Sequence, residues 1–160
     1  MRTDNEIRIT PSVLDRLLDY EPGMAREPVA SRSKSLRQLK QAVKRDLEWL
    51  LNTRKIADGL PPDLEQLNNS LAAFGLPDFT NININNPADQ THMRRVLETA
   101  IGTFEPRLED VVVTLLPSSD SQRMVHFRVD ARLRVEPAPE PITFDTALQL
   151  NNGVYVVKEE

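Results

Sequence analysis

Two periods divide the chain. Up to Phe104 the large apolar residues recur every three or four positions, and from Val111 onward they alternate with polar ones. Val13, Leu14, Leu17 and Leu18 form a first, short helical stripe. Thr10 is placed to cap it, and Pro11 suits a first helical position, where its missing N–H would be unpaired anyway. A helix of about ten residues is not stable alone in water, so this segment must dock, on its own domain or on a partner. Asp19 to Ser35 contains two prolines, a glycine and few large apolar residues, and it reads as a flexible linker. Leu36, Leu39, Val43, Leu47 and Leu50 then make one continuous stripe with Ser35 as its cap. Arg37, Lys40, Lys44, Arg45 and Glu48 lie on or near the other side. This helix ends between Asn52 and Asp58, ahead of Gly59 and Pro61-Pro62.

Asp63 follows as the cap of a shorter helix through Leu64, Leu67 and Leu71, with Gly75 as its terminator. In the connection 76–86, Ile82 and Ile84 alternate with asparagines, which fits either a short strand or an ordered loop. Asn86-Pro87 opens another helix whose buried face is Met93, Val96, Leu97, Ala100, Ile101 and Phe104. Gly102 weakens its last turn and Pro106 stops it.

Val111 to Leu116 is a strand with apolar residues on both faces, which predicts a covered, interior place in a sheet. After a polar turn at Pro117 to Arg123, Val125, Phe127, Val129, Ala131, Leu133 and Val135 alternate with His126, Arg128, Asp130, Arg132 and Arg134. That is a long strand with one face in the core and one polar. Pro137, Pro139 and Pro141 break it and protect part of one sheet edge from uncontrolled pairing. Ile142 to Leu150 is a further strand, Asn152-Gly153 a hairpin turn, and Val154 to Val157 a short final strand. The expectation is an α+β fold, with N-terminal helices packed on a small, mostly antiparallel β-sheet. Residues 1–34 form a docking helix and flexible linker, and residues 35–160 a single domain.

Composition removes more functions than it suggests. The net charge of −4 argues against non-specific binding to nucleic acid or anionic membrane, and no apolar run is long enough to span a bilayer. Met1 to Thr10 lacks the pattern of a secretory signal. There is no cysteine, hence no disulfide or thiolate chemistry, which suits the cytoplasm. The two histidines, His92 and His126, share no motif, and no cofactor-binding or metal-binding pattern is present. Glu105 and Glu109 are the best-placed carboxylates for hydrolysis. Arg107 stands beside both and favours their ionised form, which is wrong for a general acid. The reading is of a non-enzyme. Arg37, Lys40, Lys44 and Arg45 fit a solvated helix face better than a nucleic-acid site. Arg128, Arg132 and Arg134 repel one another on one strand face and require compensation, from acids of the same domain or from a partner.

Three stretches carry a resemblance: Arg45-Asp46-Leu47-Glu48-Trp49-Leu50-Leu51-Asn52-Thr53-Arg54, Phe104-Glu105-Pro106-Arg107-Leu108, and Ser12-Val13-Leu14-Asp15-Arg16-Leu17. Phe74-Gly75-Leu76-Pro77-Asp78 adds a fourth. In this order they resemble the TssE family of type VI secretion baseplate subunits, related to the sheath-initiating wedge protein of contractile phage tails. The resemblance implies a structural role beside the baseplate proteins TssF, TssG and TssK. It also implies a place where the sheath of TssB and TssC begins, in the cytoplasm at a baseplate docked on the inner-membrane complex. The same fold family includes an anti-adaptor, a regulatory alternative, and has carried a lysozyme-like label that would mean peptidoglycan hydrolysis. The residues expected to meet partners are Leu14, Leu17 and Leu18 of the tethered helix, the corner Glu105, Pro106 and Arg107, and Arg128, Arg132 and Arg134 of the sheet. Proline fixes that corner, and two opposite charges stand on it. They either brace the domain from within or hold charged groups of a partner.

Overall fold

A computed structural model describes residue 9 and residues 11–18, 23, 32–56, 61, 63–116, 124–149 and 153–159. The elements follow the order α1 (Val13–Leu17), α2 (Arg32–Asn52), α3 (Glu65–Asn68), α4 (Pro87–Phe104), β1 (Leu108–Leu116), β2 (Met124–Leu133), β3 (Glu140–Gln149) and β4 (Val154–Glu159). The four strands pair antiparallel in the order β1-β2-β3-β4. α4 packs against β1 and α2 against β4, so the fold is α+β as expected.

The core lies between these helices and one face of the sheet. Leu39, Val43, Leu47, Leu50 and Leu51 of α2 and Met93, Leu97 and Ile101 of α4 meet Phe127, Val129, Leu133, Phe144, Leu148 and Val157. Strand alternation is clean on β2 and β3, where every second side chain is buried. Asn86 caps α4 through its side chain, which accepts from the Ala88 N–H at 3.0 Å, and Pro87 occupies the first turn. Both were legible in the sequence.

Several expectations change. α2 starts at Arg32, a turn before Ser35, which therefore lies inside the helix and caps nothing. Ser12 rather than Thr10 caps α1, and Thr10 lies outside the described residues, as do most of the expected linker and the turn at Pro117 to Arg123. The stripe from Leu64 to Leu71 does not form one helix. It divides into α3 and a 3-10 turn at Leu71–Ala73, and Leu64, not Asp63, stands at the N-terminus of α3. Gly75 does not end a helix. It holds φ at +106°, and a Cβ there would come within 2.4 Å of the Thr53 carbonyl oxygen. That close approach lets Leu76 pair with the end of α2, donating to the Thr53 carbonyl at 2.8 Å and accepting from the Lys55 N–H at 2.9 Å. Ile82 and Ile84 belong to an ordered loop.

β1 is an edge strand, not an interior one, and Val112 is 50 % exposed on its outer face. It begins at Leu108 and carries a bulge. Asp110 and Val111 stand opposite Ala131 alone, with Asp110 at φ +51°. Pro137 and Pro139 lie between β2 and β3 rather than along a sheet edge, and only Pro141 sits in a strand. Gly153 takes φ +68° and donates to the Gln149 carbonyl at 2.7 Å, closing the last hairpin. Asn152 lies outside the described residues.

Candidate functional site

The second half of α2 is the hub of the molecule. Leu47, Leu50 and Leu51 point into the core, which leaves Arg45, Asp46, Glu48, Trp49 and Asn52 for other work. Asp46 faces the exit of α4. There Glu105 closes the helix, its N–H donating to the Ile101 carbonyl at 2.8 Å, and Pro106 turns the chain outward. Arg107 folds back on Glu105: its Nε donates to Oε1 at 2.6 Å and its Nη2 to Oε2 at 2.5 Å. The same Nη2 donates to Asp46 Oδ2 at 2.6 Å. The corner therefore braces the domain, joining the end of α4 to α2.

Glu105 is only 3 % exposed, and Arg107 is its counter-charge in that buried position. Burial works against the Arg107 charge. The hydrogen bonds and charges of Glu105, and then of Asp46, outweigh it and raise its pKa. Its Nη1 is buried and has no hydrogen-bond partner among the described residues.

The network continues to the N-terminal segment. Arg45 reaches Asp46 through Nε at 2.9 Å and Asp15 of α1 through Nη2 at 2.9 Å, while its guanidinium lies 5.4 Å from the centre of the Trp49 ring. Ser12 Oγ donates to Asp15 Oδ2 at 2.6 Å. Burial alone would raise the Asp15 pKa, but the bonds from Ser12 and Arg45 bring it below the usual carboxylate value. One chain of charges thus runs from α1 through α2 to the Glu105–Arg107 corner. α1 is held by this polar tie, and its apolar side chains turn away: Val13 is 73 % exposed and Leu17 76 %, with Leu14 and Leu18 also exposed.

Beside the corner lies a mostly apolar pocket of about 480 Å³. Leu14, Trp49, Phe74, Phe104 and Pro106 are among its walls, and Arg107 is the cation in its lining. Phe74 and Phe104 stack edge to face with ring centres 5.2 Å apart, and Trp49 is 55 % exposed. The pocket joins two of the expected partner groups, the tethered helix and the corner.

The third group stands elsewhere. Arg128 and Arg132 project from β2, Arg134 follows its last residue, and all three pair within the domain. Arg128 Nε bonds Asp145 at 2.9 Å, Arg132 pairs with Asp110, and Arg134 Nε bonds Glu109 at 2.6 Å. Arg128 and Asp145 are register partners on β2 and β3, and that bond holds the Asp145 carboxyl below its usual pKa. The compensation these cations require is thus supplied by acids of the same chain. Glu105 and Glu109, the carboxylates considered for hydrolysis, are each bound to an arginine.

Sequence reasoning missed the roles of Asp46, Glu48, Asn52 and Glu98. Glu48 and Asn52 bind the β4 backbone, and Glu98 binds β1. The signal available for α2 was the density of polar groups in Arg45 to Arg54, too rich for a merely solvated face. Glu98 carried none.

Residues 37–138 match the family of baseplate wedge protein gp25. The span includes the second half of α2, the Glu105–Arg107 corner and Arg128, Arg132 and Arg134, and it leaves α1 outside. No curated protein matches the chain.

Proposed function

The chain belongs to the baseplate wedge protein gp25 family, and from that premise we propose that it is the TssE wedge subunit of a type VI secretion baseplate. It is a structural, non-enzymatic part that recruits TssF, TssG and TssK and starts the TssB–TssC sheath. This places it in the cytoplasm, at a baseplate docked on the inner-membrane complex. Among the described residues no helix is long and apolar enough to cross a membrane.

The observation that carries the reading is the pocket at the Glu105–Arg107 corner. An exposed tryptophan, a pair of edge-to-face phenylalanines and an exposed leucine line it, with Arg107 in its wall. Aromatic residues and arginine at a partly dry surface are the usual anchors of protein–protein contacts. The fitting partner is a helical segment of the wedge with apolar side chains and a carboxylate. Arg128, Arg132 and Arg134, and Leu14, Leu17 and Leu18, belong to the same proposal as flanking contacts.

Trp49→Ser tests it. The side chain is exposed, so the variant keeps its circular dichroism and melts within a few degrees of wild type. Co-purification with TssF and TssG falls by tenfold or more, as for a truncated aromatic anchor worth about 2 kcal/mol. Undiminished co-purification would remove the pocket from the assembly surface.

A further inference from the structure

Two of the stretches singled out in the sequence meet away from the corner, just beyond the C-terminus of α2. Arg54 ends one of them and Asp78 the other. A parallel bridge joins Arg54 to Leu76, and Arg54 Nη1 pairs with Asp78 Oδ2 at 3.3 Å. Beside this pair lies a second pocket, of about 210 Å³, whose walls include Thr80, Leu148, Gly153 and Tyr155.

Tyr155 is 6 % exposed. Its ring stands edge to face on Phe127 with centres 6.1 Å apart, and Asn52 takes both of its backbone groups. Its hydroxyl makes no hydrogen bond among the described residues. Burial, and then the charge of Asp78, raise the pKa of that hydroxyl, so it stays protonated at neutral pH. It is a donor without an acceptor, and a buried hydroxyl is costly to leave unanswered.

The acceptors nearby are spent. Thr53 Oγ1 donates to the Trp49 carbonyl at 2.6 Å, the Leu76 N–H to the Thr53 carbonyl at 2.8 Å, and the Thr80 N–H to Asp78 Oδ1 at 2.9 Å. Donors are left over. Arg54 has its one ion pair to Asp78 and four further N–H groups. A Cβ on Gly153 would stand 3.6 Å from Arg54 Nη2 and 3.9 Å from the Thr80 methyl, which places the guanidinium over the hairpin turn. Arg54 and Lys55 against Asp78 leave a surplus of one positive charge. A volume of about 210 Å³ falls below the roughly 300–1,000 Å³ of cofactor pockets and suits one side chain.

We propose that this pocket is a socket for a single aspartate or glutamate side chain of a partner protein, its carboxylate bound two-toothed by Arg54 and by the Tyr155 hydroxyl. The socket adds a second contact to the assembly reading. It rests on that reading only for which protein carries the acid.

The test titrates N-acetyl-glutamate N-methylamide into the whole chain at low salt, followed by amide and arginine side-chain resonances. The glutamine and lysine analogues serve as controls. The glutamate analogue binds at about 1–10 mM and shifts Arg54 Nε–H, Thr80 and Gly153, while Trp49 and Arg107 do not move. The glutamine and lysine analogues bind at least about tenfold more weakly. Tyr155→Phe removes a group with no partner in the fold, so it melts within about 2 °C of wild type, yet it binds the glutamate analogue about fivefold more weakly. Arg54→Gln loses about tenfold or more. Equal binding of the glutamine analogue, stronger binding of the lysine analogue, shifts centred on the corner, undiminished binding by Tyr155→Phe, or no shift with glutamate would overturn the proposal. Undiminished capture of TssF and TssG by Trp49→Ser would instead strike at the corner pocket and leave these titrations standing.

Discussion

The leucines of α1 and of the second half of α2 follow the same spacing in the sequence, yet they face opposite ways in the structure. Leu47 and Leu50 are sealed in the core, while Leu17 is among the most exposed apolar residues of those described. The difference lies in what else each helix carries. α2 is long enough to lie across the sheet, and its polar side chains reach the β4 backbone and Arg107. α1 has one turn and one strong tie, the Asp15–Arg45 ion pair, and that tie turns its polar side toward the domain. Helical periodicity therefore identifies a stripe but not its partner. Among the described residues nothing covers the stripe of α1, and the proposed assembly role assigns it to a partner.

Substitutions that treat the two helices alike should break this comparison if it is wrong. Leu47→Ala creates a cavity in the core and costs about 2–5 kcal/mol, a fall in melting temperature on the order of 10 °C by calorimetry. Arg107→Ala leaves Glu105 buried without its cation and costs about 3 kcal/mol, partly relieved by the open side of the corner. Arg107→Lys recovers less than half of this, because an ammonium cannot reproduce the two-toothed bond to Glu105 and the bond to Asp46 together. Denaturant titration measures both. Asn52→Ala exposes the Tyr155 amide and carbonyl at the β4 edge and costs about 1 kcal/mol, with faster amide exchange confined to β4.

Acid should act first on the weaker side of the comparison. The Asp15 pKa is lowered on folding, so its tie to Arg45 contributes fully above the ordinary value of 3.8 and is lost as pH falls through the lower folded value. From neutral pH to about 5 the tie is constant. Below 4, α1 is released ahead of global unfolding. Trp49 is the single tryptophan and lies under the Arg45 guanidinium, so its fluorescence reports that release.

The fold was largely legible because local chemistry and tertiary packing agree for α4, β2 and the last hairpin. Asn86-Pro87, the clean alternation from Val125 to Leu133, and Gly153 each specify their own element. β1 misled because apolar residues on both faces mark a covered strand only if something covers it, and here the outer face of Val112 is open. The Leu64 to Leu71 stripe misled because Ser70 is extended, with ψ 170°, and caps the 3-10 turn that follows, so the helix stops at Asn68. The Glu105–Arg107 corner was legible as a charged bend. Its third member, Asp46, lies 61 residues from Arg107 in sequence, and no local pattern could supply that pairing. Arg128, Arg132 and Arg134 were legible as cations in need of acids, and Asp145, Asp110 and Glu109 became identifiable only with the register.

The central claim is that α1 and the neighbouring corner exist to be covered by the wedge. Leu17→Asp measures it most directly, with melting temperature and capture of TssF and TssG read on the same preparation. The account predicts a melting temperature within about 2 °C of wild type, as for a surface change of under 0.5 kcal/mol, together with capture reduced at least tenfold. Wild-type capture by a variant that melts normally would contradict it.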